Sequence, residues 1–163
     1  MIVRTAASAG FCFGVSRAVN SVYEELKNNR PVYTFGPITH NENVFDLLSQ
    51  KGVKVINSVE EAEELTDSTI IIRSHGVPKD VFDRLNSLTA QNIRIVDSTC
   101  AFVKKIHRIV EKESGDGKHI LILGDKNHPE VMGICGWCNG PFTVIADEQD
   151  AENFSLKEDK KIT

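Results

Sequence analysis

Gly10-Phe11-Cys12-Phe13-Gly14-Val15-Ser16-Arg17-Ala18-Val19 is the stretch from which the fold is read. An alanine-rich apolar run ends in Gly-x-Cys, and apolar residues at helical spacing (Val15, Ala18, Val19, Val22, Leu26) begin at once. The pattern predicts a strand over residues 3–7, a tight turn, and a helix over residues 15–29. Cys12 then stands where the first N–H groups of a helix lack partners, and the positive helix end favours thiolate over thiol. A nucleophile or a metal ligand fits that position chemically; a small buried residue in a turn fits it equally well structurally.

The same alternation continues outward. Strands are expected at residues 32–35, 53–56, 69–72, 93–96, 119–123 and 142–145. Helices are expected between them: 43–50 with Val44, Leu47 and Leu48 inward; a short acidic helix opened by Ser58 and Glu61 as a capping box; one lined by Val81, Phe82, Leu85 and Leu88 after Pro78; 101–112; a short one from about Pro129; and 148–153. Short strands alternating with helices argue for an α/β fold, mostly parallel, with helices covering the sheet.

The chain repeats itself at a spacing of 88 residues. Cys12-x-x-Val15-x-Arg17 overlays Cys100-x-x-Val103-x-Lys105, and in the same register Gly36, His40 and Glu42 fall on Gly124, His128 and Glu130. Each copy is a strand–Cys–helix turn followed by a strand, a Gly turn and His-x-Glu at a helix start, which reads as duplicated α/β units. Every one of these turns follows a strand and precedes a helix, so in a parallel sheet they share the carboxyl edge where ligands bind. His75, after the Thr69-Ile70-Ile71-Ile72 run, belongs to the same edge. Histidines with helix N-termini suit a phosphate or diphosphate; cysteines on the rim suit a metal or cluster. Singly, each histidine also reads as an ordinary loop residue.

Composition narrows the rest. The chain has 163 residues, 40% hydrophobic and 26% charged, with a net charge of −4, which gives no sign of nucleic-acid binding. No apolar run reaches the roughly 20 residues of a membrane helix and no signal peptide is evident, so a cytoplasmic setting is expected. Cys135-Gly-Trp-Cys138 has neither a second C-x-x-C for zinc nor the strand–helix context of a thioredoxin pair. His107 and His119 read as structural, and residues 60–64 as a solvated acidic helix. Lys160-Lys161-Ile162-Thr163 resembles a strand's opening residues, which suggests a fragment of something longer.

Taken together, Gly10-Phe-Cys12-x-Gly14-Val-x-Arg17-Ala18, Thr39-His40-Asn41, Ser74-His75-Gly76-Val77, Asp97-x-Thr99-Cys100 and Gly124-x-x-x-His128-Pro-Glu130-Val-x-Gly133 resemble, in order, the motifs of the LytB/IspH family of (E)-4-hydroxy-3-methylbut-2-enyl diphosphate reductases. The resemblance implies three pseudo-symmetric α/β domains, of which this chain would hold two: an N-terminal strand and cysteine turn (1–12), a first domain (13–99) and a truncated second (100–163). It implies a [4Fe–4S] cluster with Cys12 and Cys100 as two of three cysteine ligands, a diphosphate held by His40, His75 and His128, and Glu130 as proton donor. The implied reaction is the two-electron reductive dehydroxylation of an allylic diphosphate to isopentenyl and dimethylallyl diphosphate, the last step of the non-mevalonate isoprenoid pathway. Ferredoxin or flavodoxin would serve as electron donor. The third cysteine and the Ser-x-Asn motif are absent, so the chain alone is expected to bind cluster poorly and not to turn over. Glu42, Cys135 and Cys138 match no functional position. A non-redox diphosphate-binding module and a mononuclear metal hydrolase are the rivals; Glu130 and Cys100 argue against the first, and ligand spacing against the second.

Overall fold

The computed structural model describes residues 1–7, 9–39 and 41–155. A four-stranded parallel sheet has the order β2-β1-β3-β4, formed by β1 (Val32–Phe35), β2 (Lys54–Ile56), β3 (Thr69–Ile72) and β4 (Arg94–Asp97). A second, two-stranded parallel sheet pairs β5 (Ile120–Leu123) with β6 (Phe142–Ile145). The helices are α1 (Phe13–Glu25), α2 (Glu42–Gln50), α3 (Val59–Glu63), α4 (Lys79–Ser87), α5 (Ala101–Gly115), α6 (Pro129–Gly136) and α7 (Glu148–Asn153). None of them is long and apolar enough to cross a membrane.

All four residues of β3 are buried, as a central parallel strand covered on both faces must be. Its side chains divide by the pleat. Ile71 joins Ala18, Val19 and Val22 of α1 and Leu48 of α2 on one face, while Ile70 and Ile72 join Ala62 of α3 and Leu85 of α4 on the other. A third core, Val110, Ile120, Ile122, Val131 and Ile134, is shared by α5, β5 and α6. Glu25 at the end of α1 is buried and paired with Arg94 at 3.2 Å, which pins that helix to β4 at the amino edge.

The second sheet repeats the corner of the first. Gly36 N–H donates to Ile56 C=O at 2.7 Å, and Gly124 N–H to Ile145 C=O at 3.0 Å. Tyr33 lies opposite Lys54 but Leu121 opposite Thr143, so the second return to the sheet is one residue longer and the 88-residue register gives way between Glu130 and β6.

Four expectations are corrected. Residues 3–7 form no strand: they are exposed and no described strand offers them a ladder, and an extended segment without a partner cannot satisfy its backbone by pairing. Leu47 points outward, because α2 starts at Glu42 and its buried stripe runs through Leu48 with Val44 beside it. α1 ends at Glu25, not near Asn29, and tightens into a 3₁₀ turn, Leu26–Asn28, before the left-handed Asn29. The Ser58 cap accepts from Glu61 N–H as expected, but the return bond from Glu61 reaches Asn57 N–H.

Candidate functional site

Both cysteines of the repeat fall on the same structural position: Cys12 is the N-cap of α1 and Cys100 the N-cap of α5, and neither sulfur caps its helix. The two turns meet. A Cβ added at Gly14 would stand 2.9 Å from the Cys100 sulfur, so the missing side chain of Gly14 is the space that this thiol occupies. Cys12 is exposed and Cys100 partly so. Arg17, one turn into α1, donates through Nη2 to the Asp97 carbonyl at 3.1 Å, which fixes α1 against the strand that delivers Cys100.

The Cys100 turn is held from its other side as well. Ser98 N–H donates to Ile72 C=O at 3.0 Å and Cys100 N–H to Ser74 C=O at 2.9 Å, so the β3–β4 pairing continues past the strands into both functional loops. Asp97 Oδ1 accepts from Thr99 N–H at 2.9 Å, and Oδ2 pairs with Lys104 at 2.5 Å. Burial opposes the ionisation of Asp97, but the Lys104 ion pair and the Thr99 donors outweigh it and hold its carboxyl below the usual range.

His75 and His128, one from each sheet, meet edge to face with ring centroids 5.7 Å apart. His128 caps α6: its Nδ1 accepts from Glu130 N–H at 3.2 Å, so the neutral ring carries its proton on Nε2. Pro129 at the first helical position leaves that cap one fewer free donor to satisfy. Glu130 lies in the same first turn, partly buried. The repeat does not copy this arrangement on α2, where Asn41 is the cap and Glu42 is exposed. His40 lies outside the described residues.

Behind the rim, His107 of α5 is buried against three site segments. A Cβ at Gly76 would lie 2.9 Å from its Cε1, one at Gly133 3.5 Å from its Nε2, and its ring stacks on Trp137 at 5.0 Å. Burial, with Asp97 raising and Lys104 lowering, brings its pKa to about 4. His107 and His119 were expected to be structural; His119 shares a 2.8 Å hydrogen bond with Thr143 across β5–β6. Cys135 and Cys138 pack into the third core, and burial raises both thiols, Cys138 to about 11, so neither is a thiolate at neutral pH. The acidic helix α3 is tied to α4 through Arg84, which bridges Glu60 and Glu63.

Sulfur is the donor chemistry that iron–sulfur clusters take, and Cys12 and Cys100 fit as two ligands of a shared group because the Gly14 cradle brings their turns together. Among the described residues no set of three His, Cys, Asp or Glu side chains is placed to hold a metal ion. Sequence reasoning missed Arg73. The signal available was a lone arginine directly after the buried Thr69-Ile70-Ile71-Ile72 strand.

The family profile described as LytB protein matches residues 3–163. A 4-hydroxy-3-methylbut-2-enyl diphosphate reductase of Alkaliphilus oremlandii is 43% identical over 152 residues, covering 92% of this chain and 52% of that protein. One of the same description from Caldanaerobacter subterraneus is 42% identical, covering 97% and 54%. Two solved structures superpose: an (E)-4-hydroxy-3-methyl-but-2-enyl diphosphate reductase, described as the terminal enzyme of the non-mevalonate pathway, with a TM-score of 0.74, 39% identity and coverage of 89% of this chain and 51% of that one; and the Plasmodium falciparum E-1-hydroxy-2-methyl-but-2-enyl-4-diphosphate reductase, with a TM-score of 0.85, 27% identity and coverage of 96% and 48%. The chain spans about half the length of the curated relatives it matches.

Proposed function

The chain belongs to the LytB protein family, and from that premise we propose that it carries part of the site at which (E)-4-hydroxy-3-methylbut-2-enyl diphosphate is reduced to isopentenyl and dimethylallyl diphosphate. The observation that carries this reading is the contact between Gly14 and the Cys100 sulfur, which brings the two cysteine turns of the repeat together.

In this reading Cys12 and Cys100 hold a [4Fe–4S] cluster together with ligands from beyond this chain. When bound, the cluster would relay the donor's two electrons one at a time and offer a Lewis-acidic iron to the allylic hydroxyl. His75 and His128 bind the diphosphate. The cap bond at Nδ1 of His128 leaves Nε2–H as the donor for a phosphoryl oxygen, and the T-shaped His75–His128 contact sets the spacing of the two rings. His40 is assigned to the same diphosphate. Glu130 holds the proton that the departing hydroxyl needs, and the first turn of α6 fixes it two residues from His128. Orientation of the diphosphate by the histidines brings the allylic end to the cysteine turns. A small ferredoxin- or flavodoxin-type protein is the electron donor, in a cytoplasmic setting. Residues 13–99 and 100–163 are taken as two of the three units of the whole protein, and this chain alone as inactive.

A chimera that joins this chain to the remaining half of the Alkaliphilus oremlandii reductase, assayed without oxygen, tests the reading. Reduction of the diphosphate and a brown absorbance bleached by dithionite are expected, with both lost in Cys12→Ser and Cys100→Ser, and turnover alone lost in Glu130→Gln. A folded, colourless chimera that still binds diphosphate would favour a non-redox binding module instead.

A further inference from the structure

The cleft between α4, α5 and the end of α6 takes no part in the chemistry proposed above, and it encloses about 280 Å³. Its apolar wall is made by Phe82 and Trp137, with ring centroids 5.8 Å apart, and by Val77. Trp137 is held in place before any ligand arrives. Its ring stacks on His107 at 5.0 Å, its indole N–H donates to Val77 C=O at 3.0 Å, and Lys79 lies 4.8 Å over it. A wall fixed in advance spares a ligand the cost of ordering it.

The polar wall comes from α5 and the end of β4 before it. Asp97 is paired with Lys104 at 2.5 Å, and Glu111 with Lys79 at 3.3 Å, Lys79 being shared with Asp83 at 3.8 Å. Both carboxylates that line the cleft are therefore already engaged. His107 is uncharged at neutral pH, because burial brings its pKa to about 4. Arg108 also lines the cleft and is exposed, and among the described residues no carboxylate forms an ion pair with it. Of the four charged side chains in the wall, Asp97, Lys104, Arg108 and Glu111, it alone has no partner. The cleft thus joins an apolar, aromatic side to one guanidinium that is free to take a ligand.

We propose that this cleft binds a small aromatic monocarboxylate, with the carboxylate on the Arg108 guanidinium and the ring against Phe82 and Trp137. The guanidinium fork matches the two oxygens of a carboxylate, and one unpartnered cation matches one negative charge. A diphosphate is disfavoured here, since its further charges would face Asp97 and Glu111. The volume lies at the small end of ligand sites and limits the body to about one ring. Such a site stands whether or not the histidine rim binds a diphosphate. Its occupant touches α4, α5 and the segment after α6, and so stabilises their contact by mass action.

Benzoate, benzyl alcohol and acetate separate the parts of such a ligand: ring with charge, ring alone and charge alone. Binding to this chain is followed by calorimetry and by the fluorescence of Trp137, its single tryptophan. Wild type is expected to bind benzoate about tenfold more tightly than either benzyl alcohol or acetate, and with a change in the fluorescence. Arg108→Gln is expected to weaken benzoate by about tenfold and to leave benzyl alcohol unchanged. Because Arg108 is exposed and unpaired, the variant's melting temperature without ligand should match wild type. Wild-type benzoate affinity in Arg108→Gln overturns the site, as does the lack of saturable benzoate binding below about 10 mM. A calorimetric signal without a change at Trp137 places the ligand elsewhere and overturns it. Displacement of benzoate by inorganic pyrophosphate also overturns it, since the anion would then lie on the histidine rim.

Discussion

Gly14 shows how one hydrogen atom in place of a methyl group shapes a site. It lies inside α1, where alanine would gain roughly 1 kcal/mol of helix propensity. The new Cβ would stand 2.9 Å from the Cys100 sulfur and 3.0 Å from its Cβ, closer than real contacts allow, and neither atom is the far end of a long side chain. Overpacking of that kind costs roughly 1–3 kcal/mol, so the two effects nearly offset in stability while the whole displacement falls on the thiol. Gly14→Ala is therefore expected to melt within a few degrees of wild type. Iodoacetamide, followed by peptide mapping, should alkylate Cys100 at a changed rate and Cys135 and Cys138 at unchanged rates. A more stable variant with unchanged Cys100 labelling would contradict the cradle. The glycine stands in the motif that sequence alone singled out, and its position two residues after Cys12 was plain there. What it touches was not, because the contact joins α1 to the turn before α5 and depends on where α5 begins relative to α1.

At the scale of elements, α5 links the cysteine turn to the second sheet, and His107 on its buried stripe packs beneath the His75 loop and α6. Desolvation dominates its pKa, with Asp97 raising and Lys104 lowering, and brings it from the ordinary 6.5 to about 4. A depressed histidine pKa means that the unfolded chain takes up a proton over a range where the folded chain does not. Stability from this residue is thus full above pH 6.5 and declines as the pH falls toward 4, at up to roughly 1.4 kcal/mol per pH unit. Urea unfolding between pH 7 and pH 4.5 should therefore show a steeper loss for wild type than for His107→Leu, which cannot titrate; parallel curves would rule this out. Element order and type were legible throughout, since alternation of period-2 and period-3.6 patterns survives in each segment. Residues 3–7 were misread for a reason that local pattern cannot supply: a strand exists only with a partner, and apolar composition does not name one. His128 and Glu130 were found through the repeat, but the repeat also implied equal roles for α2, where a one-residue change of cap separates the copies. Arg73 went unread because an unpaired charge is a property of its surroundings.

At the scale of the molecule, the question is whether the two sheets fold as one body. They meet along a seam that contains the chain's single tryptophan. Trp137 follows α6, stacks on His107 at 5.0 Å, and donates through its indole N–H to Val77 C=O at 3.0 Å in the loop of the first sheet. Lys79 at the start of α4 lies 4.8 Å over the Trp137 ring and pairs with Glu111 of α5 at 3.3 Å. Gly136 completes the seam: a Cβ there would stand 2.5 Å from Pro78 Cβ and 2.8 Å from its Cα, so this glycine lets α6 approach the first sheet's loop. Indole fluorescence therefore reports the seam, whereas far-ultraviolet circular dichroism reports all helices. Coincident transitions by the two probes are expected for wild type, because the second sheet has two strands among the described residues and draws its stability from α5 and this contact. In Gly136→Ala, Pro78 and the α4 start must move, a backbone displacement costing roughly 1–3 kcal/mol, and the fluorescence transition should precede the dichroism transition. Its separation measures how far the histidine of one sheet depends on the other for its place. Because the His75–His128 contact crosses the same seam, Gly136→Ala should also weaken pyrophosphate binding without touching any residue that contacts the anion. Coincident transitions and wild-type affinity in that variant would mean that the two sheets hold their relation through the Cys100 turn alone.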